Sequence, residues 1–221
     1  GAMATDTSWF YVKRGAGGNI SDSVIVGTGT GTSYFCPTGG GYYYSYTQQI
    51  YTTTQIGKSG TISSISFQCS TVGSGPQNIV VYLGHTAQTY FATTTSYVLL
   101  SNLTQVFSGS FQPISIGWVN IPLTTPFIYN GTDNLVIAVD NNTGTNVGNY
   151  FYNTTTTNSQ GWRAMTSTTS TVNVDPANPA GTATSLSVST LLPNVKIFFR
   201  SMIDDSNSVA LTKIISPADT A

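Results

Sequence analysis

The sequence predicts an all-β fold, a two-sheet antiparallel β-sandwich with very little helix. Apolar residues recur with a period of two in several short segments, which is the spacing of a strand with one buried face. Turn-forming pairs such as Asn130-Gly131 and Asn178-Pro179 separate these segments. No stretch of eleven or more residues keeps a helical apolar stripe, and glutamate, a good helix former, is absent.

Five segments show the strand pattern most clearly. Residues 65–69, 119–123 and 195–199 alternate between apolar and polar side chains, so we expect each to bury one face. Residues 78–83 and 135–139 are nearly continuous apolar runs. Runs of this length are typical of central strands that are covered on both faces.

A region rich in Thr and Ser surrounds Gly161-Trp162-Arg163. Its two flanks are residues 154–157 and 166–171. A long loop and a pair of flat edge strands both fit this composition, and we favour a hairpin with one exposed face.

Composition limits the classes of function. Hydrophobic residues make up 39% of the chain, which is enough for a packed core. Only 7% of the residues are charged, and polarity comes instead from Thr, Ser, Asn and Gln, as in many exported surface proteins. The net charge of −1 gives no electrostatic basis for binding nucleic acid or an anionic membrane. No apolar run is long enough to predict a membrane-spanning helix.

We divide the chain into three parts. Residues 1–4 read as a cloning remnant, and residues 5–203 form the predicted sandwich module. Residues 204–221 begin with a polar link and continue into a strand-like run. We expect this last part to be a linker and the start of a truncated following domain.

The two cysteines, Cys36 and Cys69, leave two alternatives open. In an oxidising compartment they would form one disulfide, stabilising the fold by roughly 3–4 kcal/mol. They would otherwise be two buried free thiols, because cysteine behaves as a small hydrophobic residue in cores.

The titratable residues predict a protein that is not an enzyme. The acidic residues in the body of the chain are Asp133, Asp140 and Asp175. Asp133 and Asp140 flank one strand and would lie about 20 Å apart, which is too far for a catalytic dyad. His85 is the only histidine, and we expect it in a turn. The chain has no nucleophile-elbow motif that would place a catalytic serine for it to activate.

Two aromatic clusters have the chemistry of carbohydrate binding. Aromatic rings cover the apolar face of a sugar, while amide and guanidinium groups bind its hydroxyls. If the Thr-rich region is a hairpin, Tyr150 and Tyr152 share one face, and Trp162 can join them. Arg163, next to Trp162, is a further candidate ligand-binding residue of this cluster. The alternative is that such aromatics form the core or cross-strand pairs.

The second cluster is the tyrosine run at residues 42–46, which follows three glycines. Tyr43 and Tyr44 are its candidate ligand-binding residues. The same alternative of structural packing applies to them.

The motifs at residues 118–142, 46–51 and 101–109 resemble a jelly-roll module repeated in large secreted surface proteins of Bacteroidetes-type bacteria. The module is distantly similar to the cleaved-adhesin domains of gingipain-type proteases. The resemblance covers roughly residues 24–200. It implies a jelly-roll topology, export, a multidomain setting, and adhesion or carbohydrate binding, and it supplies no catalytic motif.

Some adhesin jelly rolls of this type hold structural calcium, which draws attention to Asp140-Asn141-Asn142. These residues follow a core strand and offer clustered oxygen atoms, the ligands that calcium prefers. Asp140 and Asn142 are therefore candidate calcium ligands. The alternative is a polar turn with local backbone hydrogen bonds.

Taken together, the sequence predicts a secreted or cell-surface binding module whose partner is a glycan or another cell-surface ligand. Neighbouring domains of the same chain are expected partners as well. Two alternatives are a structural spacer of a large adhesin and an accessory domain that targets a secreted hydrolase to its substrate.

Overall fold

The structure, a computed structural model, describes residues 21–200 as a sandwich of two antiparallel sheets. The prediction of an all-β two-sheet fold is confirmed. The interpretations of residues 1–4 and 204–221 lie outside the described residues. Within residues 21–200, no helix has the length and apolar character that crossing a membrane would require.

Thirteen strands, two short helices and one 3₁₀ turn make up this part of the chain. The helices are α1 (Thr53–Ile56) and α2 (Pro179–Thr182), and the 3₁₀ turn is Leu100–Asn102. The strands are β1 (Ser21–Val26), β2 (Gly31–Ser33), β3 (Ser45–Tyr51), β4 (Gly60–Thr71), β5 (Gln77–Thr86), β6 (Thr104–Phe111), β7 (Gly117–Tyr129), β8 (Asn134–Asn141), β9 (Tyr150–Thr155), β10 (Gly161–Met165), β11 (Ser185–Ser189), β12 (Leu191–Pro193) and β13 (Val195–Arg200).

The strands form two sheets with crossing connections. Sheet A has the order β1-β13-β4-β9-β12, with β2 paired to β9 and β7 paired to β4. Sheet B has the order β11-β10-β3-β8-β5-β6. From β2 to β10 the chain changes sheet at every connection except that between β5 and β6. This alternation between two packed sheets is a connectivity of jelly-roll type.

The core lies between the two sheets and follows the period-two pattern. Ile65 and Phe67 of β4 are fully buried there, as are Val195 and Ile197 of β13. The polar residues between them face the other side of sheet A, since successive side chains of a strand point to opposite faces. The alternating segments therefore form half-buried strands as predicted.

Sheet B is also covered on its outer face. Leu135, Ile137 and Val139 of β8 enter the central core, whereas Val136 and Ala138 belong to a second buried cluster. Two chain segments, residues 87–103 and 166–184, cover this cluster and contribute Phe91, Val98 and Val174 to it. The prediction that residues 135–139 are buried on both faces is confirmed. Residues 78–83 are less covered, because Asn78 is exposed and Val80 is half-buried.

The predicted hairpin around residue 162 is wrong. Strand β9 belongs to sheet A, where it pairs with β2, β4 and β12, and β10 belongs to sheet B between β3 and β11. The connection at residues 156–160 carries the chain across the sandwich. It is fixed there because the Gln160 side chain donates to Ile50 O at 2.8 Å and Thr156 N donates to Thr190 O at 2.8 Å.

Cys36 and Cys69 are free thiols, and both are buried. Of the two alternatives that the sequence left open, the structure therefore has the buried thiols and not the disulfide. Burial raises the pKa of Cys36 to about 11. Burial also raises the pKa of Cys69, whose Sγ donates to Thr71 O at 3.3 Å.

Candidate functional site

Antiparallel pairing of β2 with β9 places tyrosines side by side on the outer face of sheet A. Ser33 is paired with Phe151, so Tyr34, the next residue, lies beside Tyr150. The two rings meet edge to face with their centroids 5.2 Å apart. Phe151 points to the core and is 1% exposed, whereas Tyr150 is half-buried on the opposite face.

Tyr42 completes the group, with its ring centroid 6.2 Å from that of Tyr34. We call Tyr34, Tyr42 and Tyr150 the tyrosine cluster. Gly41 permits this packing, because a Cβ at position 41 would come within 2.3 Å of the Tyr34 ring. No other residue fits there without displacing that ring.

The tyrosine cluster lines a hollow of about 410 Å³, which we call the tyrosine hollow. Its volume falls within the usual range of small-molecule sites. The lining residues supply phenol, carboxamide and hydroxyl groups, and all of them are uncharged. They are Tyr34, Gly41, Tyr42, Asn146, Gly148, Tyr150 and Thr168.

Arg163 supports this cluster from behind and does not line the hollow. Its guanidinium carbon lies 3.8 Å from the centroid of the Phe35 ring. The Phe35 ring in turn lies 4.4 Å from Tyr34 and 6.2 Å from Tyr42, measured between centroids. A cation over an aromatic face is attracted to it, so Arg163 helps to hold the segment that carries Tyr34.

Trp162 does not belong to this surface, and its prediction as a sugar-stacking residue is wrong for the chain as folded. It is 0% exposed, and its indole Nε1 donates to Thr94 O at 2.8 Å. Its ring packs against Tyr46 and Tyr97. Neighbouring residues of a strand face opposite sides, so the Arg163 side chain points toward sheet A while Trp162 lies under residues 87–103.

Tyr43 and Tyr44 are half-buried in the loop before β3 and are not among the residues lining the hollow. Their backbone carbonyls hold two neighbouring loops. Tyr43 O accepts from Gly144 N at 2.9 Å, and Tyr44 O accepts from Thr166 N at 3.1 Å. From the predicted tyrosine run it is therefore Tyr42 that reaches the hollow.

Sequence reasoning missed Tyr34 as a member of the site. The residue is close to Tyr150 only because of the β2–β9 register, which brings together positions more than one hundred residues apart. The sequence did indicate the region of Tyr42, because this residue begins the tyrosine run that was predicted as a binding cluster. Tyr152 shares the face of Tyr150 but lines a separate groove along sheet A.

The candidate calcium ligand Asp140 lies on the outer face of sheet B and is 5% exposed. Its Oδ2 accepts from Asn142 Nδ2 at 2.7 Å, whereas its Oδ1 is buried and has no hydrogen-bond partner. Burial raises the pKa of Asp140 to about 6, the Asn142 hydrogen bond opposes this rise, and nearby Asp175 adds to it.

The segment of residues 166–184 brings two further oxygen-bearing side chains to this place. Asn173 Nδ2 donates to Asn142 Oδ1, and Asp175 acts on the Asp140 charge from the same segment. No three His, Cys, Asp or Glu side chains in residues 21–200 group closely enough to hold a metal. The oxygen atoms near Asp140 are thus those of its own carboxylate, of nearby Asp175 and of amide side chains, and calcium prefers oxygen ligands of these kinds.

The prediction that His85 lies in a turn is wrong, because the residue is part of a strand. It lies in β5 opposite Leu135, and its Nε2 accepts from Asn130 N at 3.2 Å. Its ring stacks on Tyr129 with 5.8 Å between centroids. In these contacts His85 holds the 130–133 turn against β5.

Comparison with known proteins found no matching family model and no match among curated proteins or solved structures. The function must therefore be argued from the residues of this chain.

Proposed function

We propose that this protein is a non-catalytic extracellular module that binds carbohydrate in the tyrosine hollow. The observation that supports this proposal is the tyrosine cluster itself: Tyr34, Tyr42 and Tyr150 converge on one concave, uncharged surface. A spacer domain would have no use for such a surface and would be expected to cover these rings. Sugars present apolar ring faces and neutral hydroxyls, which aromatic and amide side chains match.

The test is a binding screen against neutral and acidic polysaccharides, followed by titration calorimetry with the best ligand. Tyr150→Ala should weaken binding by about tenfold, because it removes one ring from the hollow. Tyr150→Phe keeps the ring and should retain most of the affinity.

Tyr90→Ala is the matched control, since Tyr90 is 43% exposed and lies outside the hollow. It should bind as the unaltered protein does. Equal affinity of the Tyr150→Ala and Tyr90→Ala variants would contradict the proposal, as would the absence of any polysaccharide ligand.

A second proposal concerns calcium at Asp140. It is supported by the buried Asp140 Oδ1 without a partner and by the nearby, exposed Asp175, since a bound cation would offset both the burial of the Asp140 charge and its repulsion by Asp175. The cation would tie β8 to the segment of residues 166–184.

Thermal unfolding with calcium and with EDTA tests this proposal. Calcium should raise the Tm of the protein, and Asp140→Asn should abolish the increase, because only states that bind the ion are stabilised. Asp22→Asn, which changes an exposed aspartate paired with Lys58, should leave the increase intact. The same Tm in calcium and EDTA would overturn the proposal.

A further inference from the structure

We propose that the bound carbohydrate is a linear neutral glycan, and that it runs from the tyrosine hollow along the outer face of sheet A through Tyr152 to Trp118. This inference rests on the proposed function and extends it to the class of ligand. The juxtaposition that supports it is a second groove, directly beside the tyrosine hollow on the same strand.

Strand β9 joins the two depressions. Tyr150 lines the tyrosine hollow and Tyr152 lines the second groove. Residues two apart on a strand share a face and lie about 7 Å apart. The buried Phe151 between them fixes both tyrosines on the outer face.

The second groove has a volume of about 690 Å³. Residues of the β1–β2 connection line it on one side, Ile116 and Gly117 line it on another, and Gln68 and Tyr152 come from the sheet between them. All of its lining residues are uncharged, as in the tyrosine hollow. They are Thr28, Gly29, Thr30, Thr32, Gln68, Ile116, Gly117 and Tyr152.

The wall formed by the β1–β2 connection is held firmly in place. Gly29 N donates to Thr154 Oγ1 at 2.8 Å, and Gly29 O accepts from Asn194 Nδ2 at 2.8 Å. A Cβ on Gly29 would lie 2.3 Å from Asn153 O, so the wall lies directly against β9. A preformed groove costs little ordering entropy on binding.

Trp118 extends the aromatic surface beyond this groove. It is paired with Gln68 across β4 and β7, so the two side chains are neighbours on the outer face. The Trp118 side chain is 38% exposed. The Gln68 carboxamide beside it is oriented by Asn194 Nδ2, which donates to Gln68 Oε1 at 2.9 Å.

The chemistry of the surface selects its occupant. Aromatic rings at Tyr34, Tyr150 and Tyr152 line the two depressions together with hydroxyl and amide groups, Trp118 lies beside Gln68 at their end, and the lining residues of both depressions carry no charge. A linear neutral glycan offers the matching repeat of ring faces and hydroxyls along one direction. An acidic glycan would lack a countercharge among these residues.

The experiment uses size ladders of neutral gluco-, xylo- and manno-oligosaccharides, from monosaccharide to hexasaccharide, with titration calorimetry. Affinity should rise with chain length. Tyr152→Ala and Trp118→Ala should each lower affinity for the hexasaccharide by about tenfold. They should leave binding of the shortest ligand that occupies the tyrosine hollow unchanged.

The controls separate this inference from the proposed function. Tyr150→Ala should weaken short and long ligands alike, and Tyr152→Phe should bind as the unaltered protein does. If Tyr150→Ala alone weakens hexasaccharide binding, the extended site is wrong while the tyrosine hollow stands. Tighter binding of acidic than of neutral glycans, or no gain with chain length, would also overturn the extended site. Failure of every ladder and polysaccharide to bind would overturn both.

Discussion

Asp140 is a single residue whose environment has a measurable consequence. Its carboxyl group is buried on β8 with one oxygen unpaired, and Asp175 lies close enough to repel its charge. The charged form is therefore disfavoured in the folded protein. The sequence indicated Asp140 as a candidate ligand. It did not indicate that Asp175 and Asn173, more than thirty residues later in the chain, would lie close to it.

The pKa of Asp140 predicts a pH-dependent stability in the absence of calcium. The pKa is 3.8 for an ordinary aspartate and about 6 in the fold. Folding therefore favours the protonated carboxyl group. The contribution of this group to the free energy of unfolding is lost as the pH rises from about 4 to above 6. The loss is about 3 kcal/mol.

Urea unfolding in EDTA between pH 4 and pH 8 checks this prediction. Asp140→Asn should nearly equal the unaltered protein near pH 4, exceed it by a margin that grows as the pH rises through about 6, and keep that margin up to pH 8. A variant that is no more stable than the unaltered protein at pH 8 would refute the prediction.

At the scale of elements, β10 shows how one strand divides its side chains between two environments. Trp162 is buried under residues 87–103, while Arg163, its neighbour, lies against Phe35 behind the tyrosine cluster. The sequence had indicated both residues as candidate ligand-binding residues, although neighbours on a strand point to opposite faces. Which face was covered depended on a distant segment, which Gln48 holds through hydrogen bonds to both Val98 N and Val98 O.

The two tryptophans at 162 and 118 should respond differently to truncation. Trp162→Ala should lower the free energy of unfolding by about 3–5 kcal/mol, because it leaves a large cavity and removes the donor to Thr94 O. Trp118→Ala removes a partly exposed ring and should cost only about 0.5 kcal/mol. Denaturant unfolding of both variants measures the difference, and equal losses would contradict the assignment of their burial.

At the scale of the whole molecule, the sandwich needs no covalent bridge between its cysteines. Its stability comes from the central core and from the second cluster outside sheet B. Cys36 and Cys69 are part of this buried material.

The buried thiols predict a specific pattern of reactivity. Burial raises the pKa of both groups, so little thiolate is present near neutral pH, and reagent cannot reach the sulfur atoms. Ellman's reagent should label neither cysteine in the folded protein and both after unfolding without reductant. A reducing agent should leave the Tm unchanged. One disulfide recovered from the unfolded protein would show the prediction to be wrong.

The sequence by itself determined the class of fold and much of the core. Period-two segments such as residues 65–69 and 195–199 became half-buried strands, and residues 135–139 became a strand covered on both faces. The physical reason is local: alternation of apolar and polar side chains is satisfied only by an extended chain with one face against a core.

Only the tertiary structure decided which strands became neighbours. The alternation of β9 and β10 fits either sheet equally well, and the crossing at residues 156–160 put them in different sheets. That crossing buried Trp162 and left Tyr150 and Tyr152 on the outer face of sheet A. The register of β2 against β9 then brought Tyr34 to Tyr150. Long-range pairing sets these contacts, and no local pattern in the sequence encodes them.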